Sequence, residues 1–393
     1  MVAALLLVIS ANAEDPLPGV RDDGWDRVFT RTQGWTGADG AYSIDLGGRT
    51  AWLYSDTWIG RIVDGKHAPG SRLVNNTVGV HPTAKPDTVR FAWGAKNKEG
   101  HPSAWVVPDR ARIGPGWLAK DARSWFWILD GEVVRTDDDT RKLVFFLAHV
   151  GRRAGAKGVW SFEGLGGAIA TVENFADDPA DWKIRQHAIP HAIGRRDPRT
   201  QGGLAVETSW GAAVWVQRGS KGKADTLYVY GIRETEPFNK QLLLARVGAG
   251  SITDPKAWRF FDGAGWSAKL KDAKPIADGL VNELTIDRIE HAGKSRFVMT
   301  HSEPVFGPHI FVRTAPRPEG PWSRRQAVYR IPGLDADAKH FPYAAKAHAH
   351  LSRPGELLIT YVVNSHDFWK MFNDARIYRP RFVRVPLDAI FGK

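Results

Sequence analysis

A group of short strands recurs five times along this chain, and a repeat of this kind limits the folds that the chain can adopt. The second strand of each group is rich in β-branched and aromatic residues and is bounded by turn residues, as expected for strands. These strands begin at residues 49, 142, 225, 295 and 356 and read RTAWLYSDTW, KLVFFLAHVG, DTLYVYGIRE, SRFVMTHSEP and ELLITYVVNS. Such repeats, with almost no helical periodicity, predict an all-β fold, a five-bladed β-propeller.

A shared tail closes three of the repeated units. It reads DDPADWKI at 177–184, TDPKAWRF at 253–260 and RPEGPWS at 317–323. A proline turn followed by a tryptophan can fold under the outer strand, with the tryptophan as a wedge between neighbouring units. A two-sheet sandwich is the alternative fold, but it gives no reason for the repeated tail.

The repeats also predict the domain organisation. We expect a single domain over residues 14–393, in which residues 14–32 pack against the ring or close it, since no linker separates a second domain. The predicted blades cover 34–95, 120–184, 204–260, 280–323 and 343–387.

The N-terminal stretch MVAALLLVISANA ends in the small-x-small pattern Ala11-Asn12-Ala13. This predicts a signal peptide over residues 1–13 and a secreted or periplasmic protein. No Lys or Arg precedes the apolar run, so a misassigned start codon or a buried N-terminal strand stays open. No later stretch approaches the roughly eighteen apolar residues of a spanning helix, so we expect no membrane insertion after cleavage.

Composition narrows the chemistry. The chain contains no cysteine, which excludes disulfides, thiolate metal sites and cysteine nucleophiles. Its net charge is +11, but the Lys and Arg residues are scattered, which favours a basic solvated surface and argues against a nucleic-acid partner. The 17 tryptophans against 8 tyrosines are typical of a large core and would also suit sugar stacking.

Polar residues recur where the inner strands of the predicted blades begin, and in a propeller these ends meet in one funnel. Asp39 and Glu283 are the best-placed carboxylates, and glycoside hydrolysis needs such a pair. Their units are not neighbours in a ring of five, which favours a separation of roughly 6.5–9.5 Å and an inverting mechanism. Asp56, in the next ring outward, is a candidate supporting carboxylate. An Asx-turn for Asp39, a solvated strand end for Glu283 and a turn contact for Asp56 are the structural alternatives.

The histidines and amides give weaker signals. His348 and His350 alternate on a strand, but without an adjacent carboxylate motif we expect substrate or structural contacts rather than a metal. Asn75 and Asn76 suit either sugar hydroxyls or a turn. Phosphate-binding loops, the G-x-S-x-G elbow, H-E-x-x-H and EF-hand loops are missing from the sequence. We therefore expect no required cofactor and no metal in the catalytic site, while a structural cation near the axis stays open.

Several motifs resemble a known family. They are GWTGADGAYSIDL, RTAWLYSDTWIG, RLVNNTVGV, NELTIDRI and KAHAHLSRPGELLITYVVNS with YRPRFVRV. They resemble secreted bacterial five-bladed propellers of the domain of unknown function 4185 and 5005 type, which are related to glycoside hydrolases such as endo-D-arabinanases. The resemblance implies Asp39 as general base and Glu283 as general acid. The second-blade carboxylate of the wider group is replaced here by Ser124, which leaves Asp56 or Glu163 for that role.

These observations predict an exported, monomeric glycoside hydrolase acting on a polysaccharide, arabinan-like or another cell-wall or environmental glycan. Asp39, Glu283 and Asp56 are the predicted catalytic residues. The predicted sugar-binding residues are Trp35, Asn76, Glu163, His301, Lys346, His348 and Asn364. A non-catalytic carbohydrate-binding propeller is the main alternative, and a polysaccharide lyase using Lys346, His348 and Tyr343 is a third.

Overall fold

The computed structural model describes residues 17–113, 123–152, 158, 161–194, 207–236, 239–334 and 337–392. The predicted signal peptide, and the predicted blade limits at 120 and 204, lie outside the described residues. Strands dominate the described chain and the helices are short, so the fold is all-β as predicted. In the described part of the chain, no helix has the length and apolar character needed to cross a membrane.

The N-terminal part of the chain forms two four-stranded antiparallel sheets. Its elements are β1 (Val20–Arg21), α1 (Asp23–Val28), β2 (Gln33–Ala38), β3 (Tyr42–Asp45), β4 (Arg49–Tyr54), β5 (Thr57–Val63), β6 (Lys66–His67), β7 (Arg72–Val74), β8 (Thr77–Pro82), β9 (Arg90–Ala92) and α2 (Arg110–Ile113). The first sheet contains β3, β4, β8 and β9. The other contains β5, which pairs with β2, β6 and β7.

Four further antiparallel sheets follow in chain order. The second contains β10 (Ser124–Arg135), β11 (Arg141–Arg152), β12 (Phe162–Val172) and β13 (Arg185–Ala188). The third contains β14 (Glu207–Gln217), β15 (Thr226–Glu236), β16 (Asn239–Gly248), β17 (Arg259–Phe261), β18 (Trp266–Ser267) and β19 (Ala277–Asp278). The fourth contains β20 (Leu284–His291), β21 (Lys294–Ser302), β22 (His309–Ala315) and β23 (Gln326–Arg330). The last contains β24 (His340–Ala347), β25 (Glu356–Ser365) and β26 (Arg381–Pro386), with α3 (Phe368–Asn373) before β26 and α4 (Leu387–Phe391) after it.

The remaining helical pieces are single 3₁₀ turns in the connections. They cover Pro86–Thr88, Pro179–Asp181, Ala249–Ser251, Pro255–Ala257, Leu270–Asp272, Pro304–Phe306 and Ala349–Leu351.

Each sheet packs face to face against the next. The first and second sheets share one apolar core, and the second and third, third and fourth, and fourth and fifth share others. Phe382 of the fifth sheet packs with Trp52 of the first, and Ser43 Oγ lies 2.7 Å from His348 Nδ1. The sheets therefore follow one another in the propeller manner, with contact between the first and the last.

The tryptophans of the repeated tails lie in these shared cores. Trp182 is buried between the first and second sheets, Trp258 between the second and third, and Trp322 packs between the third and fourth. The wedge prediction is therefore confirmed. Asp178 and Asp254 cap the turns of the first two tails by accepting from the amides of Ala180 and Lys256.

The predicted units stop too early. In the second, third and fourth sheets, the tail continues into a further outer strand, at β13, β17 and β23. These strands are three to five residues long and lie at the outer part of each sheet, so they carry little of the alternating pattern that identifies a strand.

The fourth strand of the last sheet comes from the other end of the chain. Strand β1 pairs with β26, with Val20 opposite Arg384, and Asp26 Oδ1 accepts from the amide of Phe382 at 2.8 Å. The expectation that residues before 33 pack against the ring is therefore confirmed for the described part, from residue 17 onward.

Four of the five units have an irregularity in the inner strand, and β20 of the fourth sheet is regular. In β10, β14 and β24 the register shifts between residues 128 and 131, 210 and 213, and 343 and 346. In the first unit the inner strand is interrupted between β2 and β3, where Gly40 and Ala41 have φ of 85° and 49°. Because an extra residue reverses the side-chain alternation, these bulges re-aim side chains at the ends of the inner strands.

Candidate active site

A cavity of about 600 Å³ opens where the inner strands begin. Five of the ten predicted site residues line it: Asp39, Asp56, Glu163, Glu283 and Asn364. It also contains residues that the sequence did not single out as site residues, among them Arg123, Trp127 and Tyr378. Its wall is therefore built from several sheets, which is why separated sequence positions meet there.

Asp39 lies at the interruption between β2 and β3. Its Oδ2 accepts hydrogen bonds from Tyr343 Oη at 2.5 Å and Tyr378 Oη at 2.9 Å, while its buried Oδ1 has no partner among the described residues. Burial, with the nearby carboxylates of Asp56 and Glu283, raises the pKa of Asp39 well above its usual range, against the opposing effect of the two tyrosine hydroxyls. The protonated carboxylic acid is therefore favoured at this position.

Asp56 lies beside Asp39, and the two residues are linked through the backbone, where the Asp39 amide donates to the Asp56 carbonyl at 3.2 Å. Asp56 Oδ1 accepts from Trp127 Nε1 at 3.0 Å and Asn75 Nδ2 at 3.1 Å. Burial raises the pKa of Asp56 to about 6, and these two hydrogen bonds and the charge of Arg123 limit the rise.

Glu283 immediately precedes β20 and forms an ion pair with Lys346. Lys346 Nζ lies 2.5 Å from Glu283 Oε2, 3.3 Å from the Ala344 carbonyl and 4.4 Å from the centre of the Tyr42 ring. The Lys346 side chain is fully buried, whereas Glu283 keeps 25% of its side chain exposed. A buried ammonium needs an anionic partner, and Glu283 supplies it.

This ion pair corrects the prediction that Lys346 contacts substrate. Lys346 does not line the cavity. Its ammonium is paired with the carboxylate of Glu283, which does.

Asn364 and Glu163 complete the set of predicted residues on the wall. Asn364 Nδ2 donates to Tyr343 Oη at 3.3 Å, so the Tyr343 hydroxyl accepts from the amide and donates to Asp39. Glu163, on β12, also lines the cavity and is 5% exposed. Asn364 therefore orients the hydroxyl that holds Asp39.

Trp35 and Asn76 do not reach the cavity, which corrects two predicted sugar contacts. Trp35 is 1% exposed and stacks on Phe91 with ring centres 4.5 Å apart. Asn76 is fully buried, where it donates to the Val106 and Phe126 carbonyls and accepts from the Val106 amide at 2.7 Å. Both N–H donors of its amide are bonded to backbone carbonyls and the side chain is fully buried, so Asn76 does not contact a ligand in the cavity.

His301 and His348 are likewise buried within the protein and not on the cavity wall. His301 Nδ1 bonds to the Ser302 carbonyl, and His348 bonds to Ser43 and Thr360 at 2.7 and 2.9 Å. Burial lowers the pKa of His301 to about 4 and that of His348 well below its usual range. Their predicted roles as sugar contacts are corrected to structural ones, and His348, one of the three residues named for the lyase alternative, does not line the cavity.

Among the described residues, no group of three His, Asp or Glu side chains has the geometry to hold a metal ion.

Tyr343 and Tyr378 are the main residues that sequence reasoning missed as partners of Asp39. On an uninterrupted strand, Tyr343 and Lys346 would point to opposite faces. The bulge at Ala344, with φ of 58°, pairs them with Val362 and Thr360, which share a face. Tyr378 lies in the irregular segment between α3 and β26, where no repeat position identifies it.

Comparison with solved structures shows the fold alone, because the sequence identities are low. A protein from Bacteroides ovatus, described as a candidate hydrolase, is 18% identical and has a TM-score of 0.67, with 93% of this chain and 90% of that chain covered. The catalytic domain of a GH62 α-L-arabinofuranosidase from Coprinopsis cinerea is 12% identical, with a TM-score of 0.42 over 95% and 96% of the two chains. A xylan β-1,4-xylosidase from Bacillus halodurans is 10% identical, with a TM-score of 0.43 over 85% of this chain and 50% of that one. The last two likenesses are too weak to bear on function.

No curated protein sequence matches the chain. The family described as Domain of unknown function (DUF5005) matches residues 22–387, and the chain belongs to that family.

Proposed function

We propose that this protein is a glycoside hydrolase that cleaves a polysaccharide, with Asp39 and Glu283 as its two catalytic carboxyl groups. The observation that carries the proposal is that both line one cavity of about 600 Å³ in opposite electrostatic surroundings. Hydrolysis of a glycosidic bond needs one carboxyl group that gives a proton and one carboxylate that activates water or attacks carbon. Two carboxyl groups whose surroundings differ in this way divide those roles between them.

The surroundings favour Asp39 as general acid and Glu283 as general base, the reverse of the roles that the family resemblance implied. Asp39 is buried near two other carboxylates, which favours its protonated form. Glu283 is paired with the ammonium of Lys346 at 2.5 Å, which stabilises its negative charge. Asp56 adds negative charge beside Asp39 and thereby helps to keep the acid protonated.

The ring architecture belongs to the same proposal. The successive shared cores, and the contact of the first sheet with the last, support a closed five-bladed propeller. We propose that this ring is a single domain of a monomeric, exported protein. The two carboxyl groups come from the first and fourth units, which supports an inverting mechanism with water between them. The Bacteroides ovatus protein with this fold is described as a candidate hydrolase, the class of activity proposed here.

The first experiment measures reducing ends released from a panel of plant, algal and bacterial glycans. Asp39→Asn and Glu283→Gln are each expected to lose at least about a thousandfold in kcat. Full activity in both variants would remove the assignment. NMR of the first product anomer distinguishes inversion from retention.

The roles of the two residues are separated by leaving-group chemistry. With an aryl glycoside of the cleaved sugar that carries a good leaving group, Asp39→Asn should recover much of its rate because protonation is no longer needed. Glu283→Ala should instead be rescued by azide, which replaces the activated water. Azide rescue at Asp39 and leaving-group rescue at Glu283 would restore the roles that the resemblance implied.

Binding without turnover is the alternative outcome. A glycan that binds equally to the wild type, Asp39→Asn and Glu283→Gln, with no product from any polymer, would make this a carbohydrate-binding protein.

A further inference from the structure

The loop between β21 and β22 presents apolar side chains at the cavity mouth. Val305 and Phe306 are 66% and 45% exposed, although large apolar side chains are usually covered. Both have left-handed backbones, with φ of 58° and 61°. A β-branched residue rarely adopts this conformation, and such outliers cluster at functional sites.

Hydrogen bonds between Glu303 and His309 join the two ends of this loop. Glu303 Oε2 accepts from the His309 amide at 3.1 Å and lies 2.8 Å from His309 Nδ1, while the Glu303 amide donates to the His309 carbonyl at 2.9 Å. Gly307 packs so closely on Glu303 that a Cβ at this position would lie 2.3 Å from the Glu303 Cδ. The loop therefore holds Phe306 in a fixed position before any ligand arrives.

Aromatic rings connect Phe306 to the proposed acid. The Phe306 ring centre lies 4.5 Å from that of Phe341, which lies 5.7 Å from that of Tyr343. The Tyr343 hydroxyl donates to Asp39. Phe306, Phe341 and Tyr343 all line the cavity, and Phe341 is 5% exposed, so Phe306 supplies the solvent-exposed ring of this aromatic row.

We propose that Phe306 and Phe341 form a stacking subsite for a sugar ring adjacent to the bond that is cleaved. The C–H face of a pyranose or furanose is apolar and matches the face of an aromatic ring, and a fixed ring binds it with little loss of side-chain entropy. The position of the subsite next to a cleaved bond rests on the proposed function, whereas the stacking of a sugar on Phe306 does not. It implies that the substrate extends at least one sugar beyond the cleaved bond, as an oligosaccharide or polymer.

The test uses glycan binding, which does not depend on turnover. Phe306→Ala, Phe306→Leu and Phe306→Tyr are each introduced into the Asp39→Asn protein, and affinity for the panel of glycans is measured by affinity electrophoresis and calorimetry. We expect a roughly tenfold or greater loss for Ala and Leu and near-parent affinity for Tyr, because only Tyr keeps the ring. In the otherwise wild-type enzyme, Phe306→Ala should raise KM more than it lowers kcat.

Trp369 provides the matched control. It is 65% exposed and aromatic but does not line the cavity, so Trp369→Ala should keep the parent affinity. Equal losses in Trp369→Ala and Phe306→Ala would indicate general apolar adhesion and overturn the proposal, as would full affinity in Phe306→Leu. Binding that depends on Phe306 without any hydrolysis would retain the subsite and reject only the proposed function. Failure of every glycan to bind overturns the subsite, even if a glycan is hydrolysed.

Discussion

The cavity wall and the buried interior both contain polar residues that looked equivalent in the repeats. Asp39 and Glu283 on the wall differ from Asn76 in the interior in the kind of group that forms their hydrogen bonds and ion pairs. On the wall, Asp39 and Glu283 are held by other side chains, Tyr343 and Tyr378 for the first and Lys346 for the second. In the interior, Asn76 bonds to backbone groups. A group held by side chains on an open wall can exchange a partner for a ligand, whereas a group that satisfies buried backbone cannot.

Asn75 and Asn76 show this difference at adjacent positions. Asn75 lines the cavity and donates to Asp56, while Asn76 points the opposite way into the core. Both residues lie in the bend between β7 and β8, so no strand alternation assigns their side chains to one side or the other, and the sequence does not indicate which of them faces the cavity.

The largest effect on stability is expected at Lys346, which lies in the interior and supports the wall. Lys346→Met leaves the Glu283 carboxylate without its counter-ion and should lower the free energy of unfolding by about 3 to 4 kcal/mol. The expected loss is within the lower part of the range for buried pairs, since Glu283 keeps 25% of its side chain exposed. Urea unfolding at pH 7 measures it.

The double variant Lys346→Met/Glu283→Gln is the control for this prediction. Removing both charges leaves no unpaired ion, so most of the lost stability should return. Additive losses from the two changes would show that the ion pair is not the cause.

The next largest effect on the free energy of unfolding is expected at Asn76, and its neighbour Asn75 should instead affect hydrolysis. Asn76→Ala leaves buried carbonyls and an amide without partners and should lower the free energy of unfolding by about 2 to 3 kcal/mol. Asn75→Ala should cost less than about 1 kcal/mol but should reduce glycan hydrolysis, because it removes a donor to Asp56. Thermal unfolding and initial rates of both variants test the pair, and the reverse pattern would contradict the division between wall and interior.

The last prediction concerns the charge of Asp56. Its pKa is raised from 3.8 to about 6 in the folded protein, so the folded state favours the protonated form. The resulting stabilisation is complete below about pH 4 and is lost as the pH rises through about 6. Asp56→Asn should therefore be more stable than the wild type at pH 8 by about 1 to 2 kcal/mol, with the difference shrinking towards pH 4.

Asp337 offers a control of opposite sign. It bonds to Lys370 at 2.8 Å, and this hydrogen bond lowers the pKa of Asp337 to about 2. Asp337→Asn should therefore reduce stability at pH 8. Urea unfolding of both variants at pH 4 and 8 measures the effects, and a gain in Asp56→Asn that does not change with pH would contradict the assigned burial.

Much of the fold could be predicted from the repeats, and less of the site. The strand groups and the wedge positions of Trp182 and Trp258 follow from local patterns that recur, since each unit must bury the same kind of surface. The outer strand at β13 and the pairing of β1 with β26 could not be predicted, because the first is short and the second joins distant ends of the chain. The placement of Asp39, Asp56 and Glu283 around one cavity could be predicted, because each lies at a strand end. The two tyrosines that donate to Asp39 could not be predicted as its partners, because neither occupies a recognisable repeat position.

The repeated patterns along the chain identify an all-β fold built from similar units, with carboxylates at the ends of its inner strands. The packing of those units is what brings particular polar groups to the cavity and gives each of them its partners. The bulge at Ala344 turns Tyr343 and Lys346 to the same face, so that Tyr343 reaches Asp39 and Lys346 reaches Glu283. A single extra residue in a strand reverses every side chain beyond it, and both the hydrogen bond to Asp39 and the ion pair with Glu283 depend on that reversal.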